Sequence, residues 1–304
     1  MNSLYDFIRW PNMVIIIFTQ YVFYHHVFCK ILGDLTQMGK AEFIFILFNT
    51  LIITFSGYVI NDYFDYETDS INRKRTALKS YPFSKKSLKL IYIGMSVIII
   101  TCSILYGLYY EKLSRANIFL IIHALLFLYS YRLKSYPLVG NLCVALLSAM
   151  VVFILYFFEN TLWPLPESFL SETIYLVGVF YILYAFFLSF IRELVKDIED
   201  ITGDKDSGAM TFPILAGIQN TLNIIVLSHS VLAILSLVLI CLISDVWWLG
   251  LIYGVLINLP FVLLIRRCFD RSSFNAKSYS LHLKYIMFAG VFFIFIYSII
   301  SNYI

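Results

Sequence analysis

The feature that most constrains this chain is a recurrence of apolar blocks. Between Pro11 and Ser301 nearly uncharged runs of about 20 residues follow one another, the length an α-helix needs to cross a hydrocarbon core of about 30 Å. The blocks are Pro11–Phe28, Phe43–Tyr63, Leu88–Leu108, Asn117–Tyr131, Leu138–Phe158, Thr173–Leu194, Ile218–Ile243, Val246–Ile265 and Leu283–Ser301. Lipid offers no hydrogen bonds to an open backbone, so segments of this kind fold as helices. The pattern predicts an all-α, multi-pass membrane bundle of about nine transmembrane helices. Composition agrees, with 61% hydrophobic and 13% charged residues over 304 positions. No low-complexity tract or long linker interrupts the blocks, so residues 1–304 read as a single membrane domain.

A formal net charge of +3 argues against a nucleic-acid partner. Cys29, Cys102, Cys143, Cys241 and Cys268 lie far apart, without a paired spacing, and read as small buried hydrophobes. The first block is too long for a signal-peptide core and is expected to remain as the first span. Of the 22 Lys and Arg residues, 18 fall before the first block, in the loops after even-numbered blocks or within three residues of the block ends that face those loops. Positive charge marks the cytoplasmic side. Nine spans with the N-terminus inside and the C-terminus outside therefore fit, in the cytoplasmic membrane if the source is prokaryotic.

The few acids are clustered. The second block ends in Asn61-Asp62-Tyr63-Phe64-Asp65-Tyr66-Glu67-Thr68-Asp69, followed by Arg73, Lys74 and Arg75. On a helix Asp65 and Asp69 lie about 60° and 20° from Asp62, so the three share a stripe, whereas Glu67 lies about 140° away. Even one carboxylate at mid-membrane costs about 2.5 to 3.5 kcal/mol, so counter-charges are expected. The sixth block ends in Arg192-Glu193-Leu194-Val195-Lys196-Asp197-Ile198-Glu199-Asp200, and Asp197, Asp200 and Asp204 repeat the spacing. Gly203 could end that helix and leave Asp204 on a loop. Two acid stripes on loops of the same side suit a hard divalent cation such as Mg²⁺, which keeps room in its shell for substrate phosphate. A diphosphate is the natural ligand for such a pair.

With these residues in place, the sequence resembles the UbiA superfamily of intramembrane prenyltransferases. Asn61 to Asp69 matches the N-D-x-x-D-x-x-x-D motif of that superfamily, and Asp200 to Asp204 its D-x-x-x-D motif. The resemblance covers essentially the whole chain. It implies a helical bundle around a central cavity, with Asn61, Asp65, Asp69, Asp200 and Asp204 as the core Mg²⁺–diphosphate residues and Asp62 and Asp197 in support. The run Arg192 to Asp200, and Tyr129-Ser130-Tyr131-Arg132-Leu133-Lys134 before Pro137, look most like the geranylgeranylglycerol-phosphate geranylgeranyltransferase branch. The sequence departs from the family at Asn72–Ala77, which lacks the prolines that many members carry there.

The resemblance implies a reaction as well. A polyprenyl diphosphate ionises as Mg²⁺ and cations neutralise its departing oxygens. The prenyl group passes to a lipid-like acceptor, foremost a glycerol-phosphate ether, or alternatively to an aromatic acceptor of quinone, tocopherol or haem biosynthesis. Lys134, Arg132, Lys196 and Arg75 are the cations expected around the leaving group or an acceptor phosphate, with Arg192 and Tyr129 also in the substrate site. Aromatic faces near the motifs, at Tyr58, Tyr63, Tyr66, Tyr129 and Tyr131, are placed to steady a carbocation. His25, His26, His123, His229 and His282 share no ligand spacing and are expected to be structural. A cation-coupled transporter would place acids nearer mid-membrane and break its spans.

Overall fold

The computed structural model describes residues 7–75, 83–162, 169–242, 247–269 and 274–300, with the side chains at 68–75, 169–170, 206–207, 241–242, 247–249 and 300 outside that description. Among the described residues every regular element is a helix. In chain order these are α1, Trp10–Tyr21 continued by a π-helical stretch Val22–Leu32; α2, Lys40–Arg75; α3, Lys85–Tyr109; α4, Leu113–Tyr131; and α5, Val139–Phe158. Then come α6, Phe169–Glu199; two short helices, α7, Ile201–Ser207, and α8, Phe212–Ala216; and α9, Ile218–Leu242. The last are α10, Trp247–Tyr253 and Leu259–Phe269 joined by a π-helical turn, and α11, Ala276–Ile300. Among the described residues nine helices are long and apolar enough to cross a membrane, and the chain is a multi-pass membrane protein.

Among the described residues each of the nine apolar blocks falls on a helix, and the second and sixth helices outrun them. Hydropathy ends at the bilayer edge, but helix hydrogen bonding does not, so α2 continues through the whole first motif and on to Arg75. Ser84 starts α3 by accepting the Ser87 N–H at 3.1 Å, a capping bond of the usual kind. The connection between the seventh and eighth blocks, around Asp245, lies outside the described residues.

The chain divides into two compact units. The first comprises residues up to Gln20 together with Met38–Lys134. Here α2, α3 and α4 pack around a buried polar bridge. His123 of α4 meets Ser56 of α2 at 3.1 Å and Ser96 of α3 at 2.9 Å, with Tyr92 stacked on its ring. Gly57 lets α4 close in, because a Cβ there would stand 2.8 Å from Leu126 Cδ2. At the other end of α2, buried Glu42 accepts from Tyr106 and from Lys112 at 3.0 Å.

The second unit comprises Tyr21–Gln37 and everything from Ser135 on. Its core runs along α6, from Phe180 to Val195, against α9, α10 and α11. Buried hydroxyls find one another there: Tyr253 donates to Tyr184 at 2.9 Å, and Tyr184 also meets Ser236. Buried Glu159, just past α5, accepts the backbone N–H groups of Gln37 and Thr161, fixing two connecting loops. Three histidines bond within this unit: His26 meets Ser298 at 2.7 Å, while His229 and His282 bond carbonyls of their own helices.

Candidate active site

The first acid cluster belongs to the first unit, on the last turns of α2. The expected counter-charges are present. Asp62, 7% exposed, receives Arg9 Nη2 on Oδ1 at 3.0 Å. Arg9 takes a left-handed backbone conformation, φ 51°, at the turn into α1, a cost of roughly 1–2 kcal/mol for a residue with a Cβ. Half-buried Asp65 is held at both oxygens, with Lys134 Nζ on Oδ1 at 2.5 Å and Asn61 Nδ2 on Oδ2 at 2.9 Å. Lys134, expected beside a leaving group, is thus anchored on an acid of the motif. Glu67 points away from this stripe and pairs with Lys85 of α3 at 2.6 Å. The side chains of Asp69 and Arg75, and those of Asn72–Ala77, lie outside the described residues.

The aromatic faces near this motif are partly spoken for. Arg9 sits over the Tyr58 ring at 4.5 Å, and Asn12 donates to the Tyr58 hydroxyl at 3.0 Å. Lys85 stands 5.5 Å over Tyr63. These two rings therefore face protein cations. Tyr131 stacks on Phe127 and meets Phe64. Tyr129 is half-buried on the last turn of α4, and Arg132 is exposed at its C-cap.

The second acid cluster belongs to the second unit. Asp197 Oδ2 accepts from Asn141 Nδ2 of α5 at 2.8 Å. Three residues before Asn141, Leu138 enters α5 with φ 62°, a strained backbone position beside the second cluster. The spacing predicts Asp197, Asp200 and Asp204 on one stripe, with Gly203 a candidate end of the helix before Asp204. Instead α6 ends at Glu199, and exposed Asp200, with φ −94° and ψ 3°, is the kink from which α7 begins. Hydrogen bonds from Asp200 N to Lys196 O and from Asp204 N to Asp200 O, both 2.9 Å, carry the chain through the kink. Gly203 does not end the helix. Gly208 does, at φ 76°, so Asp204 is helical. Burial and the neighbouring Asp200 charge raise the Asp204 carboxyl above the ordinary aspartate range, and Asp204 is also within electrostatic reach of Asp197.

Lys196 and Arg192, expected around substrate, both donate to Glu193 Oε1, at 2.9 and 3.1 Å. Reading the sequence missed Glu193 as their organiser and Arg9 as the partner of Asp62. The first was visible as an i,i+3 pair; the second, 53 residues from its partner, left no local signal.

Among the described residues no group of three or more His, Cys, Asp or Glu side chains is arranged to hold a metal ion by itself. The donors nevertheless suit a hard cation. Each cluster offers carboxylate oxygens with lone pairs to spare, and the Asp200 charge bears on the Asp204 carboxyl. Such a partial set fits an ion that completes its shell with water and phosphate oxygens.

The model of the UbiA prenyltransferase family matches residues 35–289. A digeranylgeranylglyceryl phosphate synthase of Thermococcus sibiricus is 38% identical over 169 residues, 55% of this chain and 54% of that protein. One of Methanospirillum hungatei is 32% identical over 217 residues, 69% of this chain and 70% of its own. The chain spans between 54% and 61% of the length of the first three such relatives. Among solved structures, one described as giving structural and mechanistic insights into the biosynthesis of digeranylgeranylglyceryl phosphate synthase in membranes has a TM-score of 0.66 at 21% identity, covering 97% of this chain and 99% of its own. A UbiA homolog from Aeropyrum pernix K1, in its apo form, has a TM-score of 0.64 at 16% identity, covering 91% and 96%. At these identities the likeness is one of fold.

Proposed function

This chain belongs to the UbiA prenyltransferase family, and from that membership we propose that it transfers a polyprenyl group from its diphosphate to a phosphate-bearing glycerol ether lipid. The observation that carries the reading is the presence of two acid clusters, each beside Lys or Arg, in a protein with only 19 acids. Asp65, Asp69, Asp200 and Asp204 are the residues that would hold Mg²⁺, which when bound neutralises charge on the departing diphosphate. Lys134 and Asn61 fix the Asp65 carboxylate, and Asn141 fixes Asp197, so the oxygen donors need little reorganisation as charge develops. In the reaction the allylic C–O bond to diphosphate breaks, the acceptor hydroxyl oxygen bonds to that carbon, and the hydroxyl proton departs. Half-buried aromatic side chains such as Tyr129 keep water from the carbocation. The acid clusters face the cytoplasm, in keeping with the placement of 18 of the 22 positive charges.

The test is incubation of purified protein with Mg²⁺, geranylgeranyl diphosphate and a panel of acceptors, with products identified by mass. Prenylated glycerol-phosphate ether is the expected product; excess chelator silences the reaction and Mg²⁺ restores it. Prenylation of 4-hydroxybenzoate or homogentisate alone would replace the lipid acceptor with an aromatic one. Activity that persists in chelator would remove the metal.

A further inference from the structure

In the second unit α6 sets two cations on one carboxylate, and α11, which packs against α6, brings a third cation near them. Arg192 and Lys196 converge on the same oxygen of Glu193, and the ammonium of Lys284 on α11 lies within electrostatic reach of both. Among the described residues no carboxylate forms an ion pair with Lys284. Like charges gather at a membrane boundary only where an anion offsets them, and Glu193 offsets one of three. Among the described residues buried Arg192 Nε has no hydrogen-bond partner. A buried guanidinium N–H left open calls for an acceptor that those residues do not supply.

Resting on the acceptor reading above, we infer that Arg192, Lys196 and Lys284 bind the phosphate monoester of the acceptor lipid. The number of acceptor oxygens selects this ligand. Against Glu193 and Asp197, which also lies within electrostatic reach of Lys196, the three cations leave one positive charge, and a phosphate monoester presents three acceptor oxygens to three cationic side chains, whereas an aromatic acid presents the two of one carboxylate. Geometry agrees: with one guanidinium N–H on Glu193, the remaining fork of Arg192 suits two phosphate oxygens. Position separates this anion from the diphosphate, since Arg192 precedes Asp200 by eight residues, about 12 Å of helix rise. Lys284 is thereby a specificity-determining residue that no local motif marks.

The inference is tested by calorimetric titration of the detergent-purified protein with geranylgeranylglyceryl phosphate, with its dephosphorylated alcohol, and with unreactive geranylgeranyl thiodiphosphate. The wild type should bind the phosphate at least about tenfold more tightly than the alcohol. Lys284→Gln and Arg192→Gln should each erase most of that preference, Lys284→Arg should keep it, and thiodiphosphate affinity should not change. Lys284 is exposed, so its variants test the idea even if Arg192→Gln fails to fold. A wild type without preference, or a Lys284→Gln protein that keeps all of it, would overturn the inference. Equal weakening of thiodiphosphate binding would also overturn it, by assigning the cations to the leaving group. Turnover of aromatic acids alone would sink the acceptor reading, whereas turnover of the phosphate lipid with unaltered Lys284→Gln affinity would sink this inference and leave that reading standing.

Discussion

Asp65 and Glu67 stand two positions apart on α2 and occupy different chemical worlds. Asp65 is held by Lys134 and Asn61, while Glu67 is exposed and paired with Lys85 across to α3. Asp65→Asn and Asp200→Asn keep size and hydrogen bonding but remove a ligating charge, so each should lower turnover at least about a hundredfold. Glu67→Gln should retain most activity. Steady-state rates of the three purified variants decide the matter, and a Glu67→Gln protein as slow as Asp65→Asn would defeat the assignment. Asp62 makes a different demand. Its buried carboxylate takes a guanidinium from Arg9, so Arg9→Gln should cost about 1–3 kcal/mol and lower the thermal unfolding midpoint by several degrees. An unchanged midpoint in a detergent melt would show that the pair contributes nothing. The need for such a counter-charge could be read from the spacing of three acids, but not its source, because a chain partner 53 residues away is chosen by packing.

At the scale of elements, apolar blocks reported where the helices cross lipid and little about where they stop. Asp, Glu, Lys and Asn sustain a helix adequately once it has left the bilayer, which is why α2 runs on through its motif. The opposite error occurs after α6, where equal spacing of acids suggested one straight stripe and Asp200 instead makes a kink. Backbone geometry of that sort is set by how α7 and α8 turn back, and spacing alone does not encode it. The α5–α6 seam shows a constraint of the same kind. A Cβ on Gly178 would meet the Tyr156 ring at 2.3 Å, with that ring already edge-on to Phe23 and Phe28. Gly178→Val should therefore destabilise the protein by about 1–3 kcal/mol through overpacking. Tyr156→Phe should leave stability unchanged or raise it, because the buried Tyr156 hydroxyl has no hydrogen-bond partner. Thermal melts of the two variants should move in those directions.

For the whole molecule, the distribution of Lys and Arg predicts that reporters fused within residues 76–82 and after Lys205 will both signal cytoplasm, and a reporter at the C-terminus the opposite side. Contrary signals from the two motif loops would overturn the topology and any shared role for the acid clusters. The acid clusters were legible because acids are scarce in this chain; Lys284 was not, because a single lysine one or two turns into an apolar helix looks like any interfacial anchor. The length of α2 carries one more consequence. Its 36 residues extend about 54 Å, whereas its apolar stretch spans roughly the 30 Å of hydrocarbon, so its carboxylates stand at the depth of the lipid headgroups. Ions there respond to the charge of the leaflet. A surface potential of about −30 mV enriches a divalent cation roughly tenfold over bulk water, so moving the protein from neutral to anionic vesicles should reduce its apparent Mg²⁺ requirement by about that factor, and the lipid composition of the host membrane becomes a regulator of the reaction rate.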